Sequence, residues 1–235
     1  MRHLIMFSLL ILLLVAVQFS KAQSVDEIIN KHLDAIGGKS RLLAFQSIIM
    51  KGILNSPTGI EVAMTTTLVH GVGYRVDIAV AGSEGYRIMN TKKGWSYLPL
   101  QGQTYPQELP EEEVKFSQGS LDLQSSLLNY KEKGSTVELI GKEKVDNVEA
   151  YKLKLTASTG KVTTIYIDTN TYYRIKISSK LNPSDNIETE VTYSDFKKQE
   201  DGYVFPYAQT NLSGTIHYTS IEVNKPVDEK IFSID

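Results

Sequence analysis

The chain has 235 residues, 41% of them hydrophobic, with 25 Lys and Arg against 27 Asp and Glu for a net charge of −2. It contains no cysteine, which excludes a disulfide scaffold, a lipid-modified N-terminal cysteine, a thiol nucleophile and any cysteine zinc site. A near-neutral balance with scattered lysines leaves no electrostatic footprint for nucleic acid or an anionic membrane surface.

Arg2 and His3 precede an apolar run from Leu4 to Val17, and Ser20-Lys21-Ala22 places small residues where a signal peptidase reads. This predicts an export signal cleaved after Ala22, with residues 23–235 forming one domain. No later run is apolar enough to predict a transmembrane span. Ser24 and Glu27 have the spacing of a capping box, and Val25, Ile28, Ile29, His32, Leu33 and Ile36 recur at helical steps. A helix over 25–36 is expected, stopped by Gly37-Gly38, with a short helical turn over 39–45. His32 sits on the apolar stripe and reads as a histidine at the core edge.

Strands follow. Residues 47–54 alternate, and Asn55-Ser56-Pro57-Thr58-Gly59 is a turn. Ile60, Val62, Met64, Thr66 and Leu68 share one face of a long strand, opposite Glu61, Ala63, Thr65 and Thr67. Residues 74–78 alternate again, and 86–89 with 95–98 predict a hairpin around Thr91-Lys92-Lys93-Gly94. None has the uniformly apolar character of a parallel-sheet strand.

Between Leu100 and Gly134 the rhythm changes. Pro110 followed by Glu111, Glu112 and Glu113 predicts a helix start whose acids complement the helix dipole. A second helix is expected over 121–129, carrying Leu123, Leu127 and Leu128. From Val137 the strands return. Tyr151, Leu153 and Leu155 alternate with lysines, and Tyr173, Ile175 and Ile177 alternate with Arg174 and Lys176. Residues 187–193 would place Glu188 and Glu190 opposite Arg174 and Lys176 across a hairpin. Phe205-Pro206 predicts a strand edge or bulge, residues 215–223 a last strand and 227–232 a short terminal segment. Asn211-Leu212-Ser213 has the form of a glycosylation acceptor. The expected class is therefore mainly β (α+β), antiparallel, with one face apolar and the other wet.

No nucleophile elbow, zinc-peptidase helix, phosphate loop or dinucleotide fingerprint is present. Ser194-Asp195-Phe196-Lys197 matches a hydrolase spacing, Ser-x-x-Lys, but follows a strand and lacks its companion motifs. His32, His70 and His217 are isolated in sequence. The residues point to no catalytic group, no metal site and no cofactor.

Ala35-Ile36-Gly37-Gly38-Lys39-Ser40-Arg41-Leu42-Leu43-Ala44-Phe45, Gly141 to Leu153, Tyr166 to Tyr172, Gly202-Tyr203-Val204-Phe205-Pro206 and Ile221 to Asp228 carry a resemblance. They are similar to recurrent phrases of bacterial outer membrane lipoprotein-sorting proteins. The resemblance implies the fold of the periplasmic lipoprotein carriers (LolA/LolB-like), a curved antiparallel half-barrel closed on its concave side by helices around an apolar cavity. His70-Gly71-Val72 replaces the basic-proline start that carriers have before their first cavity segment. The implied function is non-enzymatic and periplasmic: binding of a hydrophobic small molecule, lipid or lipoprotein acyl chain. A non-catalytic accessory module for an envelope protein, such as a zinc peptidase, is the alternative. Met64, Leu68, Trp95 and Tyr97 are the expected ligand-lining residues, with Tyr74 and Arg75 at the cavity mouth.

Overall fold

The computed structural model describes residues 24–180, 184 and 186–234; the expected export signal over 1–22 lies outside them. Helix α1 spans Val25–Ala35 and α2 spans Lys39–Leu43. The first strands are β1 Ser47–Asn55, β2 Glu61–Val69, β3 Gly73–Val80, β4 Ser83–Asn90, β5 Gly94–Tyr97 and the short β6 Gln107–Glu108. Helix α3, Glu111–Ser117, and a 3-10 turn, Gln118–Leu121, begin the connection to the second block. That block comprises β7 Thr136–Val145, β8 Val148–Thr156, β9 Val162–Asp168, β10 Arg174–Ser179, β11 Thr189–Lys198, β12 Val204–Asn211 and β13 Gly214–Val223. A 3-10 turn over Glu229–Phe232 follows.

All 13 strands form one antiparallel sheet in the order β6-β5-β4-β3-β2-β1-β13-β12-β11-β10-β9-β8-β7. Two meanders thus run outward from a central β1–β13 pair. The connection over 109–135 leaves one outer edge and enters at the other, so it crosses the inner side of the curved sheet. With α1 and α2 it supplies the helical cover of a half-barrel. Among the described residues, no helix is long and apolar enough to cross a membrane.

Helix α1 is defined at both ends by its own sequence. The Ser24 hydroxyl accepts from the Glu27 amide at 3.1 Å, as the capping-box spacing predicts. Gly38 N–H donates to the Leu33 carbonyl at 2.8 Å and Gly37 N–H to Asp34 at 3.3 Å, with both glycines at positive φ. Its stripe buries Ile28, Ile29, His32 and Leu33 against Ile48, Leu153 and Ile165 of the sheet. Full burial of one such aliphatic side chain contributes about 1.5–3 kcal/mol.

The second helix expected over 121–129 does not form. Ser125 and Asn129 adopt positive φ, at 87° and 51°. The Asp122 carboxylate accepts from the Gln124 amide, and the Ser125 hydroxyl from the Leu127 amide. These local side-chain bonds compete with the helical ladder, and the segment becomes linked turns. Leu127 and Leu128 still bury fully, 2% and 1% exposed, so the apolar spacing served burial without a helix. Pro206 lies in an interior strand, yet β12 pairs with β13 only from Ala208 onward, so its missing N–H interrupts no ladder there.

Candidate functional site

Strand register decides which residues share the inner face. Ile48 stands opposite Leu68 and Val223, Leu68 opposite Tyr74, and Tyr74 opposite Met89. Ile48 packs against the helices, so this set faces inward. Four residues further along each strand the same face carries Gly52, Met64, Ile78 and Gly85 in one row. Beyond α3 and the α1–α2 core, Met64 and Ile78 of that row stay only half-buried.

There the inner face holds a groove of about 350 Å³, within the range of ligand pockets, about 300–1,000 Å³. Its floor is Leu54, Val62, Met64, Ile78, Val80 and Ile216, and its wall is the turn Leu98-Pro99-Leu100-Gln101 after β5. Ser83, Glu84, Gln101, Asn211 and Ser213 give it a polar edge. Gly85 makes the wall possible. A Cβ there would lie 2.6 Å from the Tyr97 carbonyl oxygen and 3.4 Å from both Leu98 Cδ2 and Pro99 Cδ. Tyr218, the next inner residue of β13, donates from its hydroxyl to Gln209 Oε1 at 3.2 Å, and burial pushes its pKa up to about 12.

Nearer the helix-covered end, the inner face meets α3. Val114 of that helix buries against Met89 and Leu121. Arg87, on the inner face of β4, donates from Nε to the Tyr74 hydroxyl at 3.1 Å and from Nη2 to the Glu113 carboxylate. Glu111 instead pairs with Lys115 along the helix at 2.6 Å. Two of the three glutamates therefore have specific partners beyond the dipole role expected from sequence.

Of the expected site residues, the register brings only some together. Met64 lines the groove. Leu68 shares its face but packs into the helix-covered core. Tyr74 lies beneath α3. Arg75, adjacent in sequence, points to the outer face, where it pairs with Asp77 at 2.7 Å and stacks over Tyr86 at 4.8 Å. Trp95 and Tyr97 also lie outside. Trp95 stands opposite Ile88 and Ile88 opposite Arg75, the face turned away from Met64. Trp95, 8% exposed, packs with Ile88 and Phe232 under the C-terminal turn. Trp95 and Tyr97 therefore cannot line one interior with Met64 and Leu68. A period of two shows that residues of one strand share a face, without showing which side that face takes. Ile78 carried the alternating signal and Ile216 lay in the expected last strand, whereas the Leu98–Gln101 wall follows a strand end and had no periodic mark.

The histidines stay apart in role. His32 Nδ1 donates to the Tyr172 carbonyl at 2.8 Å, and burial lowers its pKa to about 4. His70 Nδ1 accepts from the Leu123 amide at 3.2 Å. His217 is exposed. Among the described residues no group of three or more His, Asp or Glu could hold a metal ion. Ser194 and Lys197 stand on β11, not on a helical turn, and Lys197 pairs with Asp195 at 2.9 Å.

A single curved antiparallel sheet with helices on its concave side is the LolA-like fold, and this chain has it. A LolA superfamily protein from Nitrosomonas europaea superposes with a TM-score of 0.55 at 16% identity, covering 88% of this chain and 96% of that one. A DUF1329 family protein from Desulfovibrio piger gives 0.56 at 15% identity, covering 89% and 97%. An outer membrane lipoprotein-sorting protein domain from Vibrio parahaemolyticus gives 0.51 at 15% identity, covering 88% and 94%. Neither a protein-family model nor a curated protein matches the sequence.

Proposed function

We propose that this is an exported, non-catalytic binding protein of the cell envelope that holds an acyl chain, lipid or lipoprotein acyl group in the groove over Met64. The observation that carries this reading is a floor of aliphatic side chains on the concave face that no helix covers. Burying one methylene there contributes about 0.8 kcal/mol, so a long chain supplies the driving force without specific polar contacts. The likeness in fold to lipoprotein-sorting proteins supports the reading, as does the pattern of an export signal. A binding role needs no nucleophile or metal, and none of the residues singled out above requires one.

The test is titration with an environment-sensitive fatty-acid probe. Wild type should bind it, and Met64→Gln should weaken binding about tenfold, equivalent to about 1.4 kcal/mol, at an unchanged denaturation midpoint. A wild type that ignores the probe, or a variant that binds it equally, overturns the reading.

A further inference from the structure

We propose that the protein docks one end of its sheet, the end holding the groove, on an uncharged lipid bilayer. This rests on the acyl-binding reading above and adds the surface from which the chain is drawn. Among the described residues, seven large hydrophobic side chains are more than half exposed. Five of them, Ile60, Leu100, Tyr105, Ile187 and Leu212, stand on connections at one end of the sheet. Strand pairing fixes that end. Asn55 stands opposite Glu61 and Thr215, Tyr97 opposite Tyr86, Ser179 opposite Thr189 and Asn211 opposite Gly214. The other two, Leu43 and Ile140, lie on α2 and on the edge strand β7.

These side chains are continuous with the groove. Leu100 lines it, and so do Asn211 and Ser213 on either side of Leu212. Ile60 lies two residues before Val62, a floor residue. The turns themselves hold the apolar tips out. Asn211 Oδ1 accepts from the Ser213 amide at 2.8 Å, so Leu212 stands at the tip of a closed turn, 84% exposed. Gly214, at φ 129°, lets that turn seat on β1, where any Cβ would run into the Asn55 carbonyl oxygen. The Ser56 hydroxyl accepts from the Ile60 amide at 3.0 Å, and Gln103 Oε1 accepts from the Leu98 amide at 2.7 Å. Exposed apolar side chains gathered beside a groove mark an interaction surface.

Charge and spacing select the partner. The connections over 55–60, 98–106 and 211–214 contain no charged residue. The fourth, around Ile187, carries Lys180, Asp185 and Glu188, one cation against two acids. Glu84 at the groove's polar edge adds a further acid, so nothing here draws in an anionic surface. The turns at the opposite end carry Lys92 and Lys93, Asp146, and Glu200 and Asp201, whose charges would have to leave water in any apolar contact. The apolar tips reach from β5 to β10, across nine neighbouring strands. Eight spacings of about 4.8 Å span about 38 Å. Single side chains so widely spaced suit a fluid acceptor that closes around each tip, whereas a protein interface needs a continuous packed core. Docking there brings the groove to the place where acyl chains reside.

Flotation of the full mature chain with phosphatidylcholine vesicles tests this. Wild type should float with them equally at about 0.1 M and about 1 M salt, because apolar contact is not screened. Leu212→Ser should weaken vesicle binding about tenfold at an unchanged denaturation midpoint, and adding Ile187→Ser should weaken it further. Ile140→Ser, which removes a side chain 54% exposed on β7, should leave it unchanged. A wild type that ignores these vesicles overturns the proposal. So does binding that requires phosphatidylglycerol and disappears in high salt, or an equal loss in Ile140→Ser. A wild-type dimer that Leu212→Ser converts to monomer, with neither binding vesicles, assigns the tips to a second copy and also overturns it. The fatty-acid probe, titrated without vesicles, keeps the two readings apart. Leu212 is outside the groove lining, so wild type and Leu212→Ser should take up the probe alike. Probe uptake without vesicle binding keeps the groove and removes the bilayer. Vesicle binding without probe uptake keeps the docking edge and removes the groove.

Discussion

Two parts of the inner face are built from strands with the same alternation, yet they have opposite fates. At the closed end Ile48, Leu153 and Ile165 are 3%, 0% and 1% exposed beneath α1 and the 121–130 turns. At the open end Leu54, Met64 and Ile78 point the same way and stay only partly covered. Residue type does not separate them, because both ends are aliphatic. Cover does. The lesson is that on a half-barrel an alternating strand specifies an apolar side, and the helical connections decide how much of that side becomes core and how much remains available to a ligand.

The sharpest way to break this comparison is to delete bulk at each end. Leu153→Ala leaves a closed void and should cost about 2–5 kcal/mol by urea denaturation. Ile78→Ala removes a comparable side chain from a surface already open to solvent, so no new cavity forms. Its cost should stay below about 1 kcal/mol. Equal losses at both positions would show that the open end is packed core and that the groove is no binding site.

A second test uses the titratable group buried at the closed end. His32 is 3% exposed and its pKa falls to about 4, against about 6.5 in the unfolded chain, with desolvation the dominant cause. As pH drops, the unfolded chain takes up the proton first. This contribution to stability is therefore complete above pH about 6.5 and is lost as pH falls toward 4, by up to about 3 kcal/mol. His32→Gln keeps a donor for the Tyr172 carbonyl without titrating. The difference in stability between wild type and this variant should shrink or change sign across that window. A pH-independent difference would mean that His32 is not held neutral by burial.

Much of this architecture was legible in the sequence. Ser24, Glu27 and the Gly37-Gly38 pair marked both ends of α1 because capping chemistry is local. The strands showed through period two, and the family resemblance pointed to the half-barrel. What stayed hidden was set by register and by competition. Trp95 shares the alternation of its strand, but its side depends on how β3, β4 and β5 pair, which no single strand encodes. The 121–129 segment had helical spacing of leucines, while Asp122 and Ser125 carried the turn signal that won. Of the candidate site, Met64 was visible and the Leu98–Gln101 wall was not, since a turn folding over a glycine leaves no periodic trace.

The smallest expected effect lies on the outer face and tests register itself. The alternation of Arg174 with Lys176 placed both opposite Glu188 and Glu190, but β10 and β11 pair with Lys176 opposite Thr192 and Ser178 opposite Glu190, and the β9 side adds a register shift between Arg174 and Lys176. Arg174 turns toward the side of Ile167, and Glu188 accepts a hydrogen bond from the Ser178 hydroxyl at 2.6 Å. Lys176 and Glu190 do pair, at 2.6 Å, but diagonally and not face to face, since Lys176 stands opposite Thr192 and Glu190 opposite Ser178. They end a ladder of outer charges that includes Glu143 and Lys152, with both lysines lying over the ring of Tyr166. The Glu190 side chain is 58% exposed, so solvent screens the pair and a double-mutant cycle of Lys176→Met with Glu190→Gln should yield about 0.2–1 kcal/mol. The cycle is needed because Lys176→Met alone also changes contact with Tyr166. The coupling should fade between about 0.01 M and about 1 M salt, as the screening length falls from about 30 Å to about 3 Å. The same cycle on Arg174 and Glu188 should return no coupling. A measurable term there would mean that β10 and β11 pair in a different register.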